Sequence, residues 1–258
     1  MKSIELLLNQ VIAAVKEAEG LLNGTDDYVI STKSQGNYVT SLDIAVENFL
    51  KKRLIEILPE SGVIAEESAP EAKNVNWVID PIDGTGNLIA GFPYAISVAL
   101  VQNSSVLLGV VYCVTSKTFY YAAWNHGAYR CCENMEPERL VVHETSDREG
   151  VVVFGMPYDR QKTHAMFEVL ERLYAYSADV KRIGPSSLDI CSVAEGRAKL
   201  YVEFDLQLWD YAAAKLILEE AGGCHIALDS LQIFASSREQ ALKTMKLLSN
   251  KDYDKTAN

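Results

Sequence analysis

At 258 residues the chain is long enough for a sizeable core, built as one large domain or two small ones. With 48% hydrophobic and 23% charged residues, it has the composition of an ordinary soluble globular protein. A formal charge of −11 with no basic run longer than Lys51-Lys52-Arg53 argues against nucleic acid as a partner, and it means that a phosphorylated substrate must be met by bound cations. The five cysteines are odd in number and have no C-x-x-C spacing, so free thiols in a reducing compartment are expected rather than zinc or a disulfide framework. No signal-peptide order and no membrane-length apolar run is present, so the expected location is cytoplasmic, without a membrane partner.

Ile4, Leu7, Leu8, Val11, Ala14, Val15, Ala18 and Leu22 repeat at helical spacing, and Asn23-Gly24 is expected to stop that helix. Asp26 to Ser34 reads as extended, followed by turn chemistry at Ser34-Gln-Gly-Asn37. Thr40 or Ser41 caps a second helix that ends before Pro59, and Asp43 in its first turn reads first as a favourable acid at a helix N-terminus. Val63 to Ala65 is a brief strand running into Glu66-Glu67-Ser68, which alone would read as a solvated loop.

Trp77-Val-Ile-Asp80-Pro-Ile-Asp83-Gly-Thr85-Gly-Asn87 is the most informative stretch. A buried strand over Trp77 to Ile79 is expected to stop at Pro81, which cannot donate a ladder hydrogen bond. Two acids at a strand end, with a Gly-Thr-Gly backbone beside them, suit a cation and a phosphate. A plain Asp-Gly turn would need neither the second Asp nor the Thr.

Three β-rich runs follow, Tyr94 to Val101, Val106 to Val114 and Phe119 to Trp124, as an antiparallel meander. Gly127 to Tyr129 and Leu140 to Val142 suggest two further short strands around a polar turn at Glu133 to Glu138. The second half alternates strand and helix: Val151 to Phe154, Thr163 to Tyr174, Val180 to Ile183, Pro185 to Ala194, Leu200 to Glu203 and Leu208 to Ala221. Gly222-Gly223 closes the last of these helices. A hairpin around Asp229-Ser230 and a final helix from Arg238 to Leu248 complete the chain. The expected class is α+β in layers, one domain whose halves divide near residue 145. Asp210, in the first turn of the Leu208 helix, would become a third carboxylate at the site if it lay near Asp80 and Asp83.

Asp80-Pro-Ile-Asp83-Gly-Thr85, with Glu66-Glu67-Ser68 before it and Trp209-Asp210 through Gly223 after it, resembles the inositol monophosphatase family over nearly the whole chain. The resemblance implies an alternating α-β-α-β-α sandwich, usually dimeric, with Mg²⁺-dependent, lithium-sensitive phosphatase activity. It implies metal ligands at Glu66, Asp80, Asp83, Asp210 and the Ile82 carbonyl, hard oxygens of the kind Mg²⁺ prefers. Asp43 and Thr85 match the pair that, with Glu66, activates the attacking water. Gly84 and Thr85 match the phosphate contacts, and Gly184, Ser186, Glu203 and Asp210 match the substrate side.

Such chemistry needs cations because a phosphate monoester dianion repels hydroxide, and two or more Mg²⁺ ions would also stabilise the leaving alkoxide. Carboxylates so clustered should raise one another's pKa values when metal-free. Ala65, Gly86, Asn37 and Pro185 depart from the family pattern without touching a metal carboxylate. The default substrate is inositol monophosphate or another small polyol or sugar phosphate. Fructose 1,6-bisphosphate, a nucleotide 3′-phosphate and histidinol phosphate are the alternatives on the same metal core. A haloacid-dehalogenase type is disfavoured by two residues between the acids where that class has one, and a non-catalytic regulator by the intact set of acids. His126, His143, His164 and His225 read as surface or packing residues, and Lys33 as solvated.

Overall fold

The computed structural model describes residues 3–22, 28–143 and 149–249. The stop at Asn23-Gly24, the start of the extended segment at Asp26 and the division near residue 145 lie outside those residues. Helices α1 (Ile4–Glu19) and α2 (Ser41–Ile57) flank a hairpin of β1 (Ile30–Ser34) and β2 (Asn37–Thr40). Then come β3 (Gly62–Ala65), β4 (Val75–Asp83), α3 (Thr85–Ala90), β5 (Ala95–Gln102), β6 (Ser105–Cys113), β7 (Thr118–Ala123), β8 (Ala128–Cys132) and β9 (Glu138–Arg139). The rest is β10 (Val151–Phe154), α4 (Thr163–Ala175), β11 (Asp179–Lys181), α5 (Ser186–Ala194), β12 (Leu200–Phe204), α6 (Leu208–Glu220), β13 (Cys224–Leu228), β14 (Leu231–Ala235) and α7 (Arg238–Ser249).

Strands β3 to β9 form a seven-stranded sheet in sequence order, antiparallel except for the β3–β4 pair. A second sheet has the order β11-β10-β12-β14-β13. Side-chain alternation along each strand explains the layering. Trp77 and Ile79 of β4 join the apolar stripes of α1 and α2, whereas Val78 points the other way, towards α5 and α6. The five-stranded sheet covers the far side of α5 and α6 with Val153, Tyr201 and Phe234, and its opposite face packs on α4 and α7. The result is five layers, α-β-α-β-α, as the resemblance implies.

Two local expectations are corrected, and one short helix is added. β4 does not stop at Pro81; it runs to Asp83 through an irregularity, because a bulge is one of the places in a sheet where proline fits. The strand expected at Leu140 to Val142 is absent, and the pairing falls at Glu138–Arg139 instead, opposite Arg130 and Tyr129. α3, only six residues long, has too short a period to be read from sequence. All five cysteines are free. Among the described residues, no helix is long and apolar enough to cross a membrane.

Candidate active site

The bulge in β4 makes the site. Residues three apart on a regular strand face opposite sides of a sheet. In β4 the stretch from Asp80 to Asp83 lies opposite only Ser97 to Ala95 of β5, so one extra residue is accommodated. Because Ser97 and Ala95 share a face, Asp80 and Asp83 are brought to one side, the side on which α5 and α6 pack. Pro81 occupies the interruption, where its missing N–H is not needed. Gly84 then turns the chain with φ 91°, a left-handed conformation that opens α3. A Cβ there would also stand 3.0 Å from the Pro185 ring, where the two halves of the chain touch.

Asp43 serves two roles. Its Oδ2 accepts hydrogen bonds from the Thr40 backbone N–H (2.7 Å) and hydroxyl (2.5 Å), a reciprocal cap on α2. Its Oδ1 accepts the Thr85 hydroxyl proton at 2.8 Å, across 42 positions of sequence. The helix-cap reading is therefore right, and the Thr85 contact is added to it. The Thr85 hydroxyl also lies 3.3 Å from the Ile82 carbonyl. With its one hydrogen directed at Asp43, Thr85 presents lone pairs to the cleft.

Asp83 accepts the Ser187 backbone N–H at 2.8 Å, so the first turn of α5 is fastened to the end of β4. Burial pushes the Asp83 carboxyl up to about 7; the Ser187 hydrogen bond opposes this, while the charges of Glu66 and Glu203 add to it. Asp80 is buried and likewise raised, first by burial and then by Glu66, Asp83, Asp210 and Asp43. Its Oδ1 has no hydrogen-bond partner. Asp210 caps α6 by accepting the Gln207 N–H at 2.6 Å, and it too is raised by its loss of water and by Asp83, Glu66 and Glu203. These mutual effects place Glu66, Asp80, Asp83, Asp210 and Glu203 in one field.

On the second-half side, Ser186 donates to Glu203 at 3.1 Å, and Tyr201 donates its one hydroxyl proton to Glu203, with its oxygen also 3.0 Å from the Ser186 hydroxyl. The Gly184 N–H donates to Asp189 at 2.9 Å. Gly155 is required by close approach, since a Cβ there would fall 2.0 Å from Glu203 Oε2.

Lys33 is not simply solvated. Its ammonium lies 2.9 Å from Glu66 and 2.5 Å from Glu67, so the β1–β2 hairpin reaches into the site. Glu67 is pushed up to about 7, chiefly by burial, with Lys33 opposing, and its N–H donates to Glu47 at 2.8 Å. Sequence reasoning missed this Lys33 reach, the Gly155 contact and Tyr158. Burial and then the charges of Glu66, Asp83, Glu203 and Asp210 raise the Tyr158 hydroxyl. Tyr158, whose ring is largely exposed with only its hydroxyl end held near the acids, lies outside helices and strands and gave no periodic signal. His225 meets the packing expectation, hydrogen-bonded to Gln232 at 2.8 Å and stacked on Phe234.

The donor set is carboxylate and carbonyl oxygen, which suits a hard divalent cation. A buried carboxylate oxygen without a donor, ringed by other acids, is costly unless a positive charge joins it. Among the described residues, no three His, Cys, Asp or Glu side chains stand as an assembled metal-binding group, so the acids share a field without a closed shell.

Comparison with known proteins matches residues 3–252 to the Inositol monophosphatase family. A protein of Pasteurella multocida called Nus factor SuhB is 34% identical over 227 residues, 84% of this chain and 83% of the relative. A protein of Aquifex aeolicus called fructose-1,6-bisphosphatase/inositol-1-monophosphatase is 30% identical over 201 residues, 76% of this chain and 74% of that one. The crystal structure of extragenic suppressor protein suhB from Bartonella henselae superimposes with a TM-score of 0.86 at 25% identity, covering 95% of this chain and 99% of the other. The chain belongs to the inositol monophosphatase family.

Proposed function

We propose that the chain is a single-domain, Mg²⁺-dependent phosphomonoesterase acting on a small polyol or sugar phosphate, with inositol monophosphate as the default substrate. The observation that carries the reading is Asp80, whose buried Oδ1 lacks any donor while four other acids press on the same carboxyl. That arrangement is costly unless a proton or a cation joins it, and a divalent cation neutralises several of the acids at once. The cations would be held by Glu66, Asp80, Asp83, Asp210 and the Ile82 carbonyl. When bound, Mg²⁺ neutralises the phosphate dianion and acidifies water.

The chain's own groups do the rest. Thr85, its proton directed to Asp43, accepts a hydrogen bond from the attacking water and passes its own proton to Asp43 as the water loses one. Thr40 holds Asp43 in place through the other carboxylate oxygen. Gly84 and Thr85 form the phosphate side of the cleft, with Thr85 and Gly86 offering N–H groups that precede the first helical bonds of α3. Glu203 and Ser186, with Gly184 and Asp210 beside them, face the alcohol. Lys33 neutralises Glu66 and Glu67, and metal loading would compete with it. Cytoplasmic location, lithium inhibition and a homodimer belong to the same reading.

The test is phosphate release from a panel of phosphomonoesters, run with Mg²⁺, with EDTA, and with Mg²⁺ plus lithium. Release that requires Mg²⁺ and falls with lithium is the expected result; no release from any substrate contradicts the reading. One observation favours a second reading, a binding role without turnover: the Pasteurella multocida relative is called Nus factor SuhB, which is not a phosphatase name. A protein inert on the whole panel yet stabilised by Mg²⁺ would support it.

A further inference from the structure

Helix α5 opens on a closed loop. The Gly184 N–H donates to the Asp189 carboxylate at 2.9 Å, and the Asp189 N–H donates to the Pro185 carbonyl at 2.9 Å. Pro185 in turn lies so close to Gly84, on the other half of the chain, that a Cβ there would stand 3.0 Å from it. Residues 184–189 are thereby fixed to one another and to the end of β4. The Ser187 N–H, which donates to Asp83 at 2.8 Å, is held by that frame.

Three serines lie on α5, and their hydroxyls are placed differently. Ser186 donates to Glu203 at 3.1 Å. Ser192, in the body of the helix, donates to the Asp189 carbonyl three residues back at 2.6 Å, a local outlet that helical serines use. Ser187 lacks that outlet, because no helical turn precedes it. It is fully buried, and its Oγ has no hydrogen-bond partner among the described residues. A buried hydroxyl left unpaired keeps the cost of losing its water. Its neighbour is an acid: with the N–H of the same residue, the Ser187 hydroxyl holds the Asp83 carboxyl down against the effect of burial. The oxygen therefore stands near Asp83 but outside hydrogen-bond geometry. Rotation about one single bond, Cα–Cβ, closes such a gap.

We propose that Ser187 is a positioning residue for Asp83: its hydroxyl turns to the Asp83 carboxylate and, with the N–H of the same residue, fixes how that carboxylate meets a divalent cation. The inference deepens the Mg²⁺-binding reading and rests on it. Ser187 acts through Asp83 and not on the cation. Outer hydrogen bonds orient a carboxylate ligand, and losing one weakens metal binding by about 10- to 100-fold. The rival account is a hydroxyl stranded where α5 packs on β4, and then its removal would relieve a cost and leave metal binding alone.

The experiment uses Ser187→Ala, which deletes the oxygen, and Ser192→Ala, a control on the same helix whose hydroxyl serves a backbone carbonyl. Two measurements are made on the wild type and both variants, without substrate. Calorimetric titration with Mg²⁺ reads the metal site. Thermal unfolding in EDTA at about pH 8, where an Asp83 carboxyl of about 7 is mostly ionised, reads the hydroxyl–carboxylate bond without metal. Ser187→Ala should weaken Mg²⁺ binding by about 10-fold or more, and Ser192→Ala by less than about twofold. In EDTA, Ser187→Ala should lower the melting temperature by about 3 °C or more, the loss of a hydrogen bond to a charged group. An unchanged Mg²⁺ affinity in Ser187→Ala would overturn the proposal, as would equal losses of affinity in the two variants. A melting temperature in EDTA that stays level or rises in Ser187→Ala would overturn it too. Should the wild type bind no Mg²⁺, the metal reading fails by itself, and the melt in EDTA alone decides whether the hydroxyl holds Asp83.

Discussion

Asp80 and Glu203 are buried carboxylates at the same junction, one at the end of a first-sheet strand and the other on a second-sheet strand. Burial raises the pKa of both. Glu203 is answered from within, by the Tyr201 and Ser186 hydroxyls, and Gly155 leaves room for it. Among the described residues Asp80 has no such answer: one oxygen has no donor, and the charges acting on it are those of other acids. The second-half carboxylate is thus organised before any ligand arrives. The first-half carboxylate is organised for a ligand with positive charge. The same division separates the part expected to select the alcohol from the part expected to carry the chemistry.

The largest effect that would break or support this contrast is on turnover. Asp83→Asn and Asp80→Asn should each lower phosphate release by about 10³-fold or more, because a lost ligand removes several kcal/mol of transition-state stabilisation. Both variants should keep the wild-type circular dichroism spectrum, and near-wild-type turnover in either would refute the role given to these acids.

The next effect is on stability against pH in the metal-free protein. Asp83 and Asp189 are each raised from 3.8 to about 7. Between about pH 4 and pH 7 the folded protein therefore keeps protons that the unfolded chain has released. Stability is fully present at the low end of this window and falls as pH rises through it, and Asp80 and Asp210, raised in the same sense, carry the fall further. The exposed acids Glu133 and Asp179, lowered by their lysines, act in the opposite sense at lower pH and weakly. Chemical denaturation in EDTA across this range measures the slope; a rise in stability from pH 4 to 7 would count against the buried cluster.

Mg²⁺ should then offset the penalty. At about 100 times its dissociation constant it adds roughly 2.7 kcal/mol, or some 5–10 °C in melting temperature, and Asp80→Asn should lose most of that gain. On the second-half side, Tyr201→Phe should cost about 1–3 kcal/mol with Mg²⁺ or without it, because it removes an internal donor rather than a cation ligand. Gly86→Thr is the smallest change. A Cβ there meets nothing within 4 Å, so stability should shift by no more than about 0.5 kcal/mol by thermal melt.

The layers were legible because they rest on periodicity. The 3.6-residue stripe of α1 and the apolar runs of β5, β6 and β7 need no long-range information. The acids were legible as a motif, and the family resemblance assigned their roles. What stayed hidden depended on pairing. Pro81 read as a stop because its tolerance in β4 comes from the register with β5. Lys33 read as solvated because its partners lie on another element, and Gly155 carried no signal until Glu203 was placed beside it. Ser187 read only as a helical residue, because Asp83, 104 positions before it, meets it only when α5 packs on the end of β4.

The most direct test of the central claim is a crystal soaked in Mn²⁺ as a stand-in for Mg²⁺, with data collected for anomalous scattering. The account predicts at least one strong peak within bonding distance of Asp80 and Asp83, and Asp80 Oδ1 among the ligands. A well-soaked crystal with no peak at those oxygens, or with ions only on surface acids elsewhere, would contradict it.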